Sequence, residues 1–285
     1  DMSGNTINSM IQGRHNYLNS LINSVIFGEN QDISGSTNLL AQGKSNTALN
    51  TNNSVLVGKD NKVKNSDEMA VFGSKNDISG STIHSLVAGY NNQENNGDYN
   101  ATFGTLNNVK NSKASVITGK ENKDTNGNQS TIVGSFHEVT SSTNTLTQGM
   151  QNTVTSSSQS VIMGHIHSET NGTNNVLMGY NQTVSGTDNT LTIGKENRVI
   201  NSSKSLVSGH DNKEEEGDNN YVGGTKNVLY DNSGVMVGGE SNIVKLNNSV
   251  FTMGLTNDIS NNTKYTIVGG TSNKVNRGLN GLVVG

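Results

Sequence analysis

Residues 54–63 read SVLVGKDNKV and residues 190–199 read TLTIGKENRV. Two stretches more than a hundred residues apart share glycine, asparagine and valine at matching places, the mark of an internal repeat. The glycine that closes each short apolar run serves as an anchor: Gly13, Gly28, Gly43, Gly58 and so on to Gly285. The spacing is 15 residues in sixteen of the eighteen intervals and 16 in the other two. The repeat covers the whole chain, and residues 1–285 are expected to form a single repeat domain.

Each repeat has an internal grammar. The three residues before the anchor are mostly aliphatic or β-branched, as in Val55-Leu56-Val57 and Val161-Ile162-Met163. Three residues after the anchor stands asparagine in fourteen of eighteen cases, including Asn16, Asn61, Asn107, Asn152, Asn197, Asn242 and Asn273; the exceptions are Gln31, His137, His167 and Gln182. Two residues further on comes an apolar residue such as Val63, Ile78 or Val199. A cluster of Ser, Asn, Thr and Gly then returns the chain to the next run.

Fifteen residues hold two strands of four or five residues and two turns, too few for a βαβ unit or a helix pair. The arrangement this predicts is an all-β parallel β-solenoid of about 19 coils, stacked at about 4.8 Å into a rod on the order of 90 Å long. Glycine at the anchor suits a positive φ or a close approach between coils. Asparagine three residues later can stack as an amide ladder that satisfies turn polar groups.

Composition narrows the function. Only 30% of the chain is hydrophobic and 4% aromatic, with 33 glycines and no proline. Cysteine is absent, which excludes disulfides, thiolate nucleophiles and Cys-based metal sites. A net charge of −4 with interspersed signs offers no basic stripe for nucleic acid, and no apolar run is long enough to span a membrane as a helix.

The strand before the anchor carries the sharpest inference. Alternate residues of a strand face opposite sides, yet here both sides are apolar: Val25 and Phe27 oppose Ile26, and Val55 and Val57 oppose Leu56. One side fills the coil interior. The other forms an apolar stripe that a monomer would not leave open, which points to a parallel homo-oligomer about the long axis.

The runs SVLVGKDNKV, SVIFGENQDI, SVIMGHIHSE and TLTIGKENRV resemble the SVAIG-type repeats of the YadA-like heads of trimeric autotransporter adhesins, over the whole length of the chain. The resemblance implies a left-handed parallel β-roll, three chains to a head. Such a head stands on a stalk at the bacterial cell surface, anchored in the outer membrane. It also implies host partners: collagen, fibronectin or laminin, or immunoglobulin-like receptors of the carcinoembryonic-antigen-related family. No neck motif, heptad stalk or membrane anchor is read in the sequence, so the segment is expected to be part of a longer protein.

His137 and His167 are read as asparagine substitutes in the ladder rather than metal ligands, and His84 and His210 as solvated turn residues. Where the second apolar position turns acidic (Glu94, Asp124, Glu169, Glu214), glycine follows three residues later; elsewhere an apolar residue is followed by glycine two residues on, as with Ile33 and Gly35. These are read as two alternative corner geometries, the acidic one more exposed, and Glu214-Glu215-Glu216 as an exposed acidic corner. No GxSxG, HExxH, P-loop or calcium-repeat pattern occurs, so neither an enzyme nor a cofactor or metal site is expected.

The candidate partner-binding residues are Phe136, Met150, His165, Ile166 and Tyr180, where positions just after the anchor turn apolar on neighbouring repeats. The leading expectation is an adhesin head with multivalent host contacts. The alternative is a structural spacer or self-associating fibre segment. Ice binding would need a regular outward threonine array, and Thr102, Thr147, Thr192 and Thr252 occupy the middle strand position only sporadically.

Overall fold

A computed structural model describes residues 2–4 and 6–285. The chain is an all-β parallel β-solenoid of about 18 turns with a repeat of about 15 residues, and no helix occurs among the described residues. It forms two compact units, residues 1–142 and 143–285. Both are built from the same coil.

A coil of the first unit shows the construction. The long strand Val55–Lys59 has five residues and contains the anchor Gly58; the short strand Lys62–Lys64 has only three. The short strand is shorter than the repeat grammar suggests because left-handed residues bracket it, Asp60 at φ 55° and Asn65 at φ 51°. A third left-handed residue, Asn53 at φ 50°, follows a one-residue bridge that pairs Asn52 with Asp67 of the next coil. Each coil therefore has three corners, one more than the sequence suggests. Asn, Asp and Ser supply most of them because their short polar side chains tolerate this region best.

Equivalent residues stack in register, Leu56 on Val71 and Gly58 on Gly73. The second unit repeats the pattern, with Ile162 on Leu177 and Gly164 on Gly179. The anchor glycines from Gly13 to Gly270 have φ between 106° and 136°, and an added Cβ on Gly58 would lie 1.8 Å from the Gly73 carbonyl oxygen. Positive φ and close approach thus act together at the anchor.

The interior takes one side chain from the middle of each strand: Leu56 and Val63, Val71 and Ile78 in the first unit, Ile162 and Leu177, Val184 and Val199 in the second, all essentially inaccessible. One or two apolar strand residues per coil fill so narrow a core, which is why a chain this poor in hydrophobic residues can fold. The rest of the interior is small and polar. Ser54 Oγ, for example, accepts from the Met69 N–H at 3.1 Å and donates to the Asn52 carbonyl at 2.8 Å. The flanking strand residues Val55 and Val57 point outward and are half-buried.

Three expectations are corrected. Glu94, Asp124, Glu169 and Glu214 are not at an exposed corner: each is at most 1% accessible. They occupy the inward-facing middle of the short strand, and Glu94, Glu169 and Glu214 accept hydrogen bonds there from serine and asparagine. Of the run 214–216, Glu214 is buried and Glu216 is exposed, while Glu215 is ion-paired with Arg198 and Lys213. Nor are there two corner geometries. The left-handed corner sits at the same place in both kinds of coil, filled by Gly80 at φ 79° in one and Asn96 at φ 51° in the next. Gly97, Gly127, Gly172 and Gly217 stand one residue later and face inward, where a Cβ would lie 2.1–2.4 Å from a carboxylate oxygen of the preceding acid. Thr102, Thr147, Thr192 and Thr252 also face inward, fully buried, and cannot present a threonine array to the outside.

Candidate functional site

The surface patch is built on the two positions that follow the anchor. The first ends the long strand with its side chain outward; the second is the left-handed corner. In the second unit Met150, His165 and Tyr180 occupy the first position on successive coils in strict register. The rings of His165 and Tyr180 lie 6.5 Å apart and tilted by 54°. Lys195 follows, its Nζ 5.9 Å from the Tyr180 ring centroid. A cation at that range is attracted to the ring face.

Ile166 occupies the corner position, at φ 59° and 41% exposed. A β-branched residue is strained there, by about 1–2 kcal/mol. Neighbouring coils of the unit place Gln151, Asn181, Glu196 and Asp211 at this position. Phe136, in the first unit, is a corner residue of the same kind at φ 60°, with Lys120 Nζ 5.6 Å from its ring centroid. The five candidate residues thus fall in two columns rather than one: Met150, His165 and Tyr180 share the first position, Phe136 and Ile166 the second.

The ladder asparagines all hold their own coil to the next. Asn61 Nδ2 donates to the Gly73 carbonyl at 2.8 Å, and its Oδ1 accepts from the Asn76 N–H at 3.1 Å. Asn16 and Asn107 do the same toward Gly28 and Gly119 in the first unit. Asn152, Asn197, Asn242 and Asn273 do so toward Gly164, Gly209, Gly254 and Gly285 in the second. His167 takes an asparagine's place: its Nε2–H is 3.1 Å from the Met163 carbonyl and its Nδ1 accepts from the Gln182 N–H at 3.3 Å. Burial lowers its pKa, in keeping with a neutral ring whose Nδ1 is an acceptor. His137 likewise lies 3.2 Å from the Val133 carbonyl through Nε2.

Two surface clusters were not singled out in the sequence. Tyr90 and Lys75, one coil apart in the first unit, hold a hydroxyl–ammonium contact of 3.0 Å, and this hydrogen bond raises the Lys75 pKa. His84 is not merely solvated: it stacks on Tyr99 with ring centroids 4.5 Å apart, and its Nε2 lies 2.7 Å from Glu68 Oε2. His210 is paired with Glu196 at 3.2 Å. The signal was available as spacing, since His84 and Tyr99 are 15 residues apart and share one column.

The four interior carboxyls form the other set of titratable groups. Ser85 Oγ donates to Glu94 Oε1 at 2.8 Å and Asn100 Nδ2 at 3.0 Å. Ser160 with Asn175 and Ser205 with Asn220 do the same for Glu169 and Glu214 at 2.7–2.9 Å. The asparagine six residues after the acid is the sequence signal that went unused. Among the described residues no group of three or more His, Cys, Asp or Glu is placed to hold a metal. A surface groove of about 460 Å³ in the second unit is lined by Asn201, Ser203, Glu216, Asp218, Asp231 and Leu246, among others.

What this geometry offers is a repetitive scaffold with apolar and aromatic side chains displayed at its corners. No protein-family model matches the chain and no curated protein sequence matches it, so the functional reading rests on these residues and their placement.

Proposed function

We propose that the chain is the head of a trimeric bacterial surface adhesin: a left-handed β-roll of about 19 coils, three copies side by side and parallel. It is tethered to the outer membrane through parts of the protein beyond this sequence. One observation carries the reading. The outward side of the long strand is apolar on most coils, with Val25, Phe27, Val55 and Val57 in the first unit and Val161, Met163, Phe251 and Met253 in the second, and is interrupted at Gln12, Gln42, Thr118, Gln148 and Ser208. Phe72, Phe251 and Met253 are 40%, 37% and 49% exposed in the single chain. A stripe of this kind suits burial against the same stripe of other copies, because register and spacing are then matched automatically.

The head binds host cell-surface or matrix proteins through its corners, with Met150, His165, Ile166 and Tyr180 as one contact surface and Phe136 as a contact on the first unit. Strain at Ile166 supports this, since a corner that only had to turn the chain would be better served by asparagine. Three copies raise avidity without any tight single site. Immunoglobulin-like receptors of the carcinoembryonic-antigen-related family, collagen, fibronectin and laminin are the partners to screen.

Light scattering tests the assembly: a particle of three times 30.1 kDa is expected, and a folded monomer would remove its basis. For the receptor surface, Phe136→Ala with Tyr180→Ala should abolish binding to a captured host protein at unchanged particle mass. Unchanged binding would reject that surface, and failure of every screened partner to bind the native particle would favour a spacer.

A further inference from the structure

We propose that Glu94, Asp124, Glu169 and Glu214 are stored inside the coils as neutral carboxylic acids, and that their ionisation loosens the stack, so that each unit is firmest in mildly acidic water and weakens as the medium turns alkaline.

The geometry of the four sites is the ground for this. Each carboxyl stands in the middle of a short strand between two aliphatic residues of the adjoining coils: Glu94 between Ile78 and Val109, Asp124 between Val109 and Val139. In the second unit Glu169 lies between Val154 and Val184, and Glu214 between Val199 and Leu229. Two acids never stack directly. The second oxygen of each glutamate has no hydrogen-bond partner, and the Asp124 carboxyl has only the hydroxyls of Ser112 and Ser115 beside it. An ionised carboxylate with an unpaired oxygen in such a site is disfavoured far more than a neutral acid.

Among the described residues no cationic side chain faces these carboxyls. The groups around Glu94, Glu169 and Glu214 are the serine and asparagine donors, the facing glycine and the aliphatic neighbours; those around Asp124 are Ser112, Ser115, Gly127 and two valines. Charged residues beside them in sequence have other partners: Lys123 pairs with Glu138, and Lys213 and Arg198 pair with Glu215. Two buried histidines lie in or next to these coils, His167 before Glu169 and His137 one coil beyond Asp124, each engaged with a backbone carbonyl.

Burial accordingly raises all four pKa values, that of Asp124 to about 6. A carboxyl raised on folding stabilises fully below its unfolded pKa, and that stabilisation is lost as pH climbs through the folded value. From 3.8 to about 6, Asp124 alone shifts the folding equilibrium by about a hundredfold. His167 works the other way, because burial lowers its pKa and acidification below the ordinary imidazole range therefore destabilises the fold. Glu196 and Glu215, held below the usual carboxylate range, also favour higher pH. A difference between two proteins that share these groups isolates the four carboxyls.

The experiment is denaturant unfolding of the full chain at about pH 5.5 and about pH 8.5, on either side of the Asp124 value of about 6. The native protein is compared with the variant Glu94→Gln, Asp124→Asn, Glu169→Gln, Glu214→Gln. The native midpoint should fall toward the higher pH relative to the variant. Equal pH dependence in the two proteins, or the opposite difference, overturns the proposal. Should the fourfold variant not fold, infrared spectroscopy of the folded native protein at about pH 6 decides, since ordinary carboxylates are already ionised there. A protonated-carboxyl band that weakens in Glu169→Gln supports the proposal, and its absence from the native protein refutes it.

Discussion

Replacing Gly58 with alanine should separate two coils. The residue has φ 133°, a region in which L side chains are strained by about 1–3 kcal/mol. The new Cβ would sit 1.8 Å from the Gly73 oxygen and 2.8 Å from its carbon, well inside the roughly 3.5 Å contact distance of heavy atoms. Relief requires the coils to part locally by about 1.5 Å, enough to break the bonds that flank the site, Val55 N–H to Met69 O at 2.8 Å and Lys75 N–H to Lys59 O at 2.9 Å. Two such bonds contribute about 1 kcal/mol each, so the total loss is about 3–5 kcal/mol. Urea unfolding followed by far-UV circular dichroism reads the midpoint, and hydrogen exchange over residues 55–59 and 70–74 locates the damage. Gly269→Ala is the control, since its added Cβ meets nothing within 4 Å and its φ is ordinary; it should be neutral or stabilising by up to about 1 kcal/mol. If the two substitutions shift the midpoint by the same amount, close approach at the anchor is not what selects glycine.

Asn107→Ala should lose about 2–4 kcal/mol, because it strands the Asn122 N–H and the Gly119 carbonyl, whereas Asn107→His should lose less, as His167 serves in the same column; urea midpoints distinguish them. Gly172→Ser should be destabilising by about 2 kcal/mol or more, since the Cβ would meet Glu169 Oε1 at 2.3 Å and Asn175 Nδ2 at 2.4 Å. Adding Glu169→Val and Asn175→Ser reproduces the Val154, Ser157 and Ser160 pattern of the preceding coil and should recover most of the loss; no recovery would mean the acid and glycine are not matched to each other. Phe27→Glu with Met163→Glu places charges on the outward strand face and should reduce the particle to single chains at unchanged circular dichroism, read by light scattering.

The period, the parallel in-register stacking and the inward strand positions were legible because every coil solves the same problem. A β-strand puts Leu56 inside whenever Val55 and Val57 point out, and the fifteen-residue spacing then places Val71 above it. The glycine anchor was legible for the same reason. The surface patch was legible only as a set of residue types, since the division of Met150, His165 and Tyr180 from Phe136 and Ile166 depends on where the left-handed corner falls.

The fifteen-residue repeat is written in the chain and dictates the fold, because backbone stacking and one or two inward apolar strand residues per coil leave few other ways to pair these strands. The fate of the acids was settled by packing. Glu94 or Glu214 read one residue at a time belongs in water. Inside the coil, serine and asparagine on adjacent coils supply donors to one oxygen, and a glycine three residues on leaves the space, so the same side chain is buried. Such an environment is assembled from residues six and nine positions away, which no local hydropathy can register.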